Sequence, residues 1–156
     1  MQNPEIVVDE KVSKITIHRV ADRLGIAAEL FGRLGEEGLC VGIMTVGDII
    51  DSHTDISIIV AADIADSTMK ALESMREELG ASTVTRSNDA VAISVLTKSM
   101  HQPGFAGRVF RALTAANVRI DMITAMKEGM TCVIDERFQD TALEALRLEF
   151  PEAKES

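Results

Sequence analysis

The phrase "RVADRLGIAAELF" at residues 19–31 returns in altered form as "SMHQPGFAGRVF" at residues 99–110. Gly25 pairs with Gly104, Ala27 with Ala106, Phe31 with Phe110, Leu34 with Leu113 and Thr45 with Thr124, each pair 79 residues apart. A chain of 156 residues that repeats itself at half its length is a duplication. It folds as two similar units of roughly 75 residues each, within the usual range for a domain.

Each copy spells out the same elements. "KITI" (14–17) alternates polar and apolar residues as a strand does, and the turn-rich "RVADRLG" follows as a loop. Ile26, Ala27, Leu30, Phe31 and Leu34 then recur at helical spacing, and Gly38 stands where a helix takes a residue at positive φ. "LCVGIMTV" (39–46) and "TDISIIV" (54–60) predict two strands. A helix with Met69, Leu72, Met75 or Arg76, and Leu79 ends at Gly80, before a strand at "STVTR". In the second copy the series runs "AVAISVL" (90–96), a helix through Val109, Phe110, Leu113 and Ala116, and strands at "VRIDMIT" and "GMTCVID". Asn117, which tolerates left-handed geometry, replaces Gly38. Asp140 is placed to N-cap a last helix carrying Leu143, Leu146 and Phe150. The order in each copy is βαββαβ.

The second copy lacks a final strand, since only "PEAKES" follows Phe150, while "EIVVD" is a surplus strand before the first copy. Because an open βαββ half exposes a sheet edge, the surplus strand is expected to complete the second unit by pairing Ile6–Val8 with Val91–Val95. The expected organisation is a first unit at 11–87, a second at 88–150 with the strand at 4–9, and a tail at 151–156. The fold class is α+β: two ferredoxin-like units with antiparallel four-stranded sheets and helices on one face.

Composition removes several function classes. A net charge of −9 opposes nucleic-acid or anionic-membrane surfaces, and 3% aromatic residues, without Trp or Tyr, leave no base-stacking platform. No signal pattern or membrane-length apolar run occurs, which reads as cytoplasmic. Cys40 and Cys132 sit in apolar strand-like runs outside any CxxC or Cys/His cluster, so buried reduced thiols are expected, with no metal and no cofactor. His18, His53 and His101 adjoin no nucleophile motif, and neither GxSxG nor HExxH occurs. The chain is not expected to be an enzyme.

Paired βαββαβ units with a D-x-x-G turn before an apolar helix resemble tandem ACT domains. "KITIHRVADRLGIAAELFGRL" with "TDISIIV", and "SMHQPGFAGRVFRALTAANVRIDMIT", resemble the regulatory region of aspartokinases, from about Pro4 to Phe150. In that family, too, a segment ahead of the first unit completes the second. The resemblance implies a sensor of a small amino acid such as lysine or threonine, homodimeric through its ACT units, that controls a partner amino-acid kinase catalytic subunit. The alternative is a ligand-free dimerisation or protein-interaction module from the same family.

A free amino acid presents a carboxylate and an ammonium, so its site needs anion donors beside a carboxylate. Helix-start amides and a close-approach glycine supply the donors. In the first copy Gly25, Ile26 and Ala27 would offer amides beside Arg23, with Asp22 facing the ammonium or, alternatively, capping the helix. In the second copy the matching loop carries Met100, His101, Gln102, Gly104, Phe105 and Ala106, and the resemblance places Asp121 against the ligand's amine. Met100 and Phe105 read equally as core residues. Val46 and Gly47 stand where the family usually carries a Gln-Asn pair, and Ala125, Met126 and Lys127 replace its usual polar run.

Overall fold

The computed structural model describes residues 3–87, 89–98 and 100–156, with Glu10 described by its backbone alone. Asn88, the expected first residue of the second unit, and Ser99, in the repeated phrase, lie outside the described residues. Two compact units are present: Val12–Asn88, and Met1–Lys11 together with Asp89–Ser156. They are called the first and second unit here.

In the first unit the elements are the second half of β1 (Glu5–Ala21), α1 (Ile26–Glu36), β2 (Ile43–Val46), β3 (His53–Ala61), α2 (Ala65–Met75) and β4 (Thr83–Arg86). The strand order is β2-β3-β1-β4, antiparallel at each pairing. Alternate side chains along the strands, Ile15 and Ile17 on β1 and Ile56 and Ile58 on β3, share one core with Leu30 of α1 and Leu72 of α2. A period of two on the strands meeting a period near 3.6 on the helices places both helices on one sheet face.

The second unit repeats the arrangement with β5 (Ala90–Leu96), α3 (Phe105–Ala115), β6 (Ile120–Met126), β7 (Gly129–Asp135) and α4 (Gln139–Glu149). Its order is β6-β7-β5-β1, so the first half of β1 takes the place that β4 takes in the first unit. Ile6, 1% exposed, joins Val91, Ile93, Val109 and Leu146 in the core. The surplus N-terminal strand thus closes the second unit, as the edge argument requires.

Several expectations need correction. The two short strands expected around Ile6–Val8 and Lys14–Ile17 are one strand of 17 residues, and Arg19–Ala21 of the expected loop belong to it. Its pairing with β3 slips between Ile17 and Val20, which absorbs the bend without ending the strand. Part of the tail is not free: β8 (Lys154–Glu155) pairs in parallel with Glu5–Ile6, because that edge of β1 still carries unpaired peptide groups, and Arg147 grips Glu155 beside it. Asp140 does not cap α4; the N-cap position is Phe138 and Asp140 lies in the first turn. No side chain caps α4; Asp135 instead caps the 3-10 turn Glu136–Phe138 just before it, accepting from the Arg137 guanidinium and from the Arg137 N–H at 2.9 Å, contacts that hold its carboxyl below the ordinary range. The strand expected from Leu39 begins only at Ile43, which leaves Cys40 exposed in the connecting loop. Cys132, on β7, is buried as expected.

Candidate functional site

The two helix starts coincide bond for bond. Gly25 (φ 88, ψ −2) and Gly104 (φ 90, ψ −5) occupy the N-cap positions of α1 and α3 in the left-handed region, where a side chain is strained. The Ile26 N–H donates to Arg23 O at 3.2 Å and the Phe105 N–H to Gln102 O at 3.3 Å. Glu29 and Arg108 are the first residues whose amides bond back into their helices, to Gly25 O and Gly104 O, each at 3.0 Å. At the far ends Glu37 and Ala116 share φ −86 and ψ 4. Gly38 and Asn117 follow at φ 73 and 57.

This accounting revises which amides are offered. The Ile26 and Phe105 hydrogens are already used in a turn, so the donors without an intrahelical carbonyl belong to Ala27 and Ala28 in one copy, and to Ala106 and Gly107 in the other. Ala28 and Gly107 were missed because the residue spacing does not fix the N-cap; once Gly25 and Gly104 are known as caps, the third helical position follows. No atom lies within 4 Å of where a Cβ would stand on Gly25 or Gly104, so a ligand can approach the backbone there.

Around the first bend Asp22 is exposed, and its backbone N–H donates to Ser52 O at 2.9 Å. With Gly25 as N-cap and no side-chain cap at α1, Asp22 does not cap the helix. The Arg23 guanidinium donates to Glu29 at 2.6 Å and to Glu78 O at 3.3 Å. Ile26 is buried in the first core and Ala27 is exposed.

Around the second bend His101 and Gln102 are exposed, and Ala106 is half-buried. Met100 packs on the core, and Phe105 lies inside it, its ring 5.5 Å from that of Phe150, over which Arg108 stacks at 4.4 Å. Of the two readings of Met100 and Phe105, their packing is that of core residues. Asp121 is exposed on β6, where the pairing with β7 slips between Ile120 and Met122. Three surface cavities, of about 400, 370 and 310 Å³, are lined by none of these residues. Among the described residues no His, Cys, Asp and Glu group together as metal ligands, and no helix is long and apolar enough to cross a membrane.

The α1 and α3 helices thus start from superposable bare turns in two units of one strand order. The family profile of the ACT domain matches residues 93–150, in the second unit. The second unit is thus similar to an ACT domain, and the first unit repeats its strand order and helix start.

An aspartate kinase of Stutzerimonas stutzeri is 25% identical over 146 residues, 93% of this chain and 35% of that protein. The chain therefore spans about a third of the length of the curated relatives it matches. The regulatory subunit of aspartate kinase from Thermus flavus superposes with a TM-score of 0.85 at 23% identity, covering 94% of this chain and 97% of that one. Aspartate kinase from Synechocystis gives a TM-score of 0.90 at 23% identity, covering 96% and 27%. Over nearly its whole length the chain has the fold of that aspartate kinase regulatory subunit.

Proposed function

We propose that the chain senses a small amino acid, of the lysine or threonine class, at its two helix starts and passes its occupancy to an amino-acid kinase catalytic partner. The observation that carries this reading is the paired geometry at Gly25 and Gly104: a left-handed glycine, open space before it, and two first-turn amides without helical partners. Such a start favours a carboxylate through both its N–H groups and its dipole. Asp22 and Asp121, both exposed, supply negative charge for the ammonium. The module works as a homodimer in the cytoplasm, a compartment in keeping with its free cysteines. The likeness to an aspartate kinase regulatory subunit supports the regulatory role.

The test is thermal unfolding against each of the twenty amino acids. At a hundredfold excess over Kd a ligand adds about 2.7 kcal/mol of stability, and an Ala106→Pro variant, which deletes one donor N–H at the second helix start, is expected to lose part of that gain. Silence with every amino acid refutes the reading.

A second reading, a ligand-free interaction module, is favoured by one observation: Ile26, Met100 and Phe105 direct their side chains into or onto the cores, and no described cavity opens at the bends. It predicts a stable dimer whose melting ignores amino acids.

A further inference from the structure

The two copies stop matching at one place. α1 and α3 begin 79 residues apart, whereas α2 and α4 begin 74 apart, at Ala65 and Gln139. The first copy therefore carries five extra residues, in the turn between β2 and β3. That turn folds against the end of β1 and encloses a cavity of about 370 Å³, within the size range of small-molecule sites. Its walls include Arg19, Asp48, His53, Thr54 and Asp55, with Ile50 as an apolar side.

Five non-glycine residues among those described have positive φ: Arg19, at 57°, lines this cavity, and Asp51 at 50° and Ser52 at 60° lie in the turn between its lining residues Ile50 and His53. Strained backbone persists only where the surroundings hold it, and it gathers at ligand clamps. The holding contacts are specific. Asp55 Oδ1 accepts the Arg19 N–H at 2.9 Å, and its Oδ2 lies 3.5 Å from His18 Nδ1. The Thr54 hydroxyl donates to Gly47 O at 2.7 Å, and the Gly47 N–H to Asp55 O at 2.8 Å. His53 Nδ1 stands 2.7 Å from Asp51 O; a carbonyl only accepts, so Nδ1 carries the hydrogen and Nε2 is the acceptor of the neutral ring.

With Asp55 engaged in holding the bend, two charges of the cavity remain without a partner among the described residues: the Arg19 guanidinium and the Asp48 carboxylate. Opposite charges on one small cavity match the two ends of a zwitterion. The second unit has the same pairing at the corresponding place. Lys98, 79 residues after Arg19, and Glu128, in the β6–β7 turn, line a cavity of about 310 Å³, together with a second such pair, Lys154 and Glu5. There the Thr97 N–H donates to Glu128 O at 2.8 Å. A cation from the end of the first strand and a carboxylate from the following hairpin turn occur in both copies, although the two turns differ in length.

We propose that the cavity under the Gly47–Ser52 turn binds a small zwitterion, its carboxylate on the Arg19 guanidinium and its ammonium on Asp48. The proposal rests on the amino-acid-binding reading for its class of ligand, but places it apart from the helix-start amides. Because Ser52 O also holds the Asp22 N–H, a ligand that tightens this turn acts directly on the bend leading into α1.

The test is a titration of the full chain with L-lysine, L-threonine and L-alanine, following backbone amides by NMR, with acetate and ethylammonium as half-ligand controls. The expected result is movement of the Gly47, Thr54 and Asp55 amides with an intact amino acid and little response to either half. Arg19→Gly relieves the left-handed strain while removing the guanidinium, so it is expected to raise Tm and weaken this response about tenfold or more; Asp48→Asn is expected to weaken it without the gain in Tm. Shifts confined to Ala27, Ala28, Ala106 and Gly107 overturn this proposal and leave the helix-start reading standing. Shifts confined to the turn do the reverse. A titration without shifts overturns both, and an unchanged affinity in Arg19→Gly overturns the role given to the guanidinium and with it the proposal.

Discussion

Replacing Ile6 by alanine tests the arrangement on which the second unit depends. The side chain is 1% exposed and packed in a core otherwise drawn from residues 91–150. Ile→Ala removes three carbons, about 2.4 kcal/mol at roughly 0.8 kcal/mol per buried methylene. A residual void of about 40 Å³ adds about 1 kcal/mol at roughly 24 cal/mol per Å³. The expected loss is therefore about 3 kcal/mol, a large share of a typical stability of 5 to 15 kcal/mol. Urea unfolding followed by circular dichroism measures the loss, and native-state hydrogen exchange locates it: β5 and β7 amides lose protection while those of β3 keep theirs. A loss under about 1 kcal/mol, or protection lost equally in β3, refutes the claim that the first half of β1 is an integral strand of the second unit.

Gly129→Ala is expected to destabilise by about 2 to 5 kcal/mol in the same urea assay, since φ is 151° and a Cβ would stand 2.4 Å from Val95 O and 2.8 Å from Leu96 Cα, both backbone atoms. Burial pushes the Cys132 thiol up from 9.0 to about 11. Between those values the unfolded chain gives up this proton and the folded one keeps it, so stability falls as pH rises from 9 to 11, by on the order of 1.4 kcal/mol per unit. Cys132→Ser is expected to remove that part of the alkaline slope in pH-dependent urea midpoints, and at pH 8 a thiol reagent is expected to label exposed Cys40 long before Cys132.

The duplication carried most of the fold, because a helix start, an apolar stripe and a left-handed stop are all local signals. β5 and β7 have the bounds their sequence alternation suggests, and Asn117 takes up the geometry of Gly38. What escaped local reading was decided by pairing partners. Asp9, Glu10 and Lys11 look like a charged break, but β1 runs through them, since its neighbours supply hydrogen-bonding edges on either side of it. Cys40 reads as strand because its neighbours are apolar, yet the chain from Leu39 to Gly42 only spans the distance from α1 to the start of β2. In the helix-start sites, the residue types were legible and the free amides were not, because the Arg23–Ile26 and Gln102–Phe105 turn bonds use donors that spacing alone counts as available. The cavity beside Arg19 was illegible for a related reason: its cation and its carboxylate are 29 positions apart and meet only through the hairpin.

The sharing of β1 between the units also sets an order of events during synthesis. Residues 12–88 hold every strand of the first unit and can assemble as soon as they are made. Ile6 and Val8, made before any residue of the first unit, pack against a core that is complete only when Phe150 has been added. A stretch made before the first unit is thus buried only after that unit is complete, and until then it is an unsealed apolar edge within reach of chaperones or of a neighbouring nascent chain.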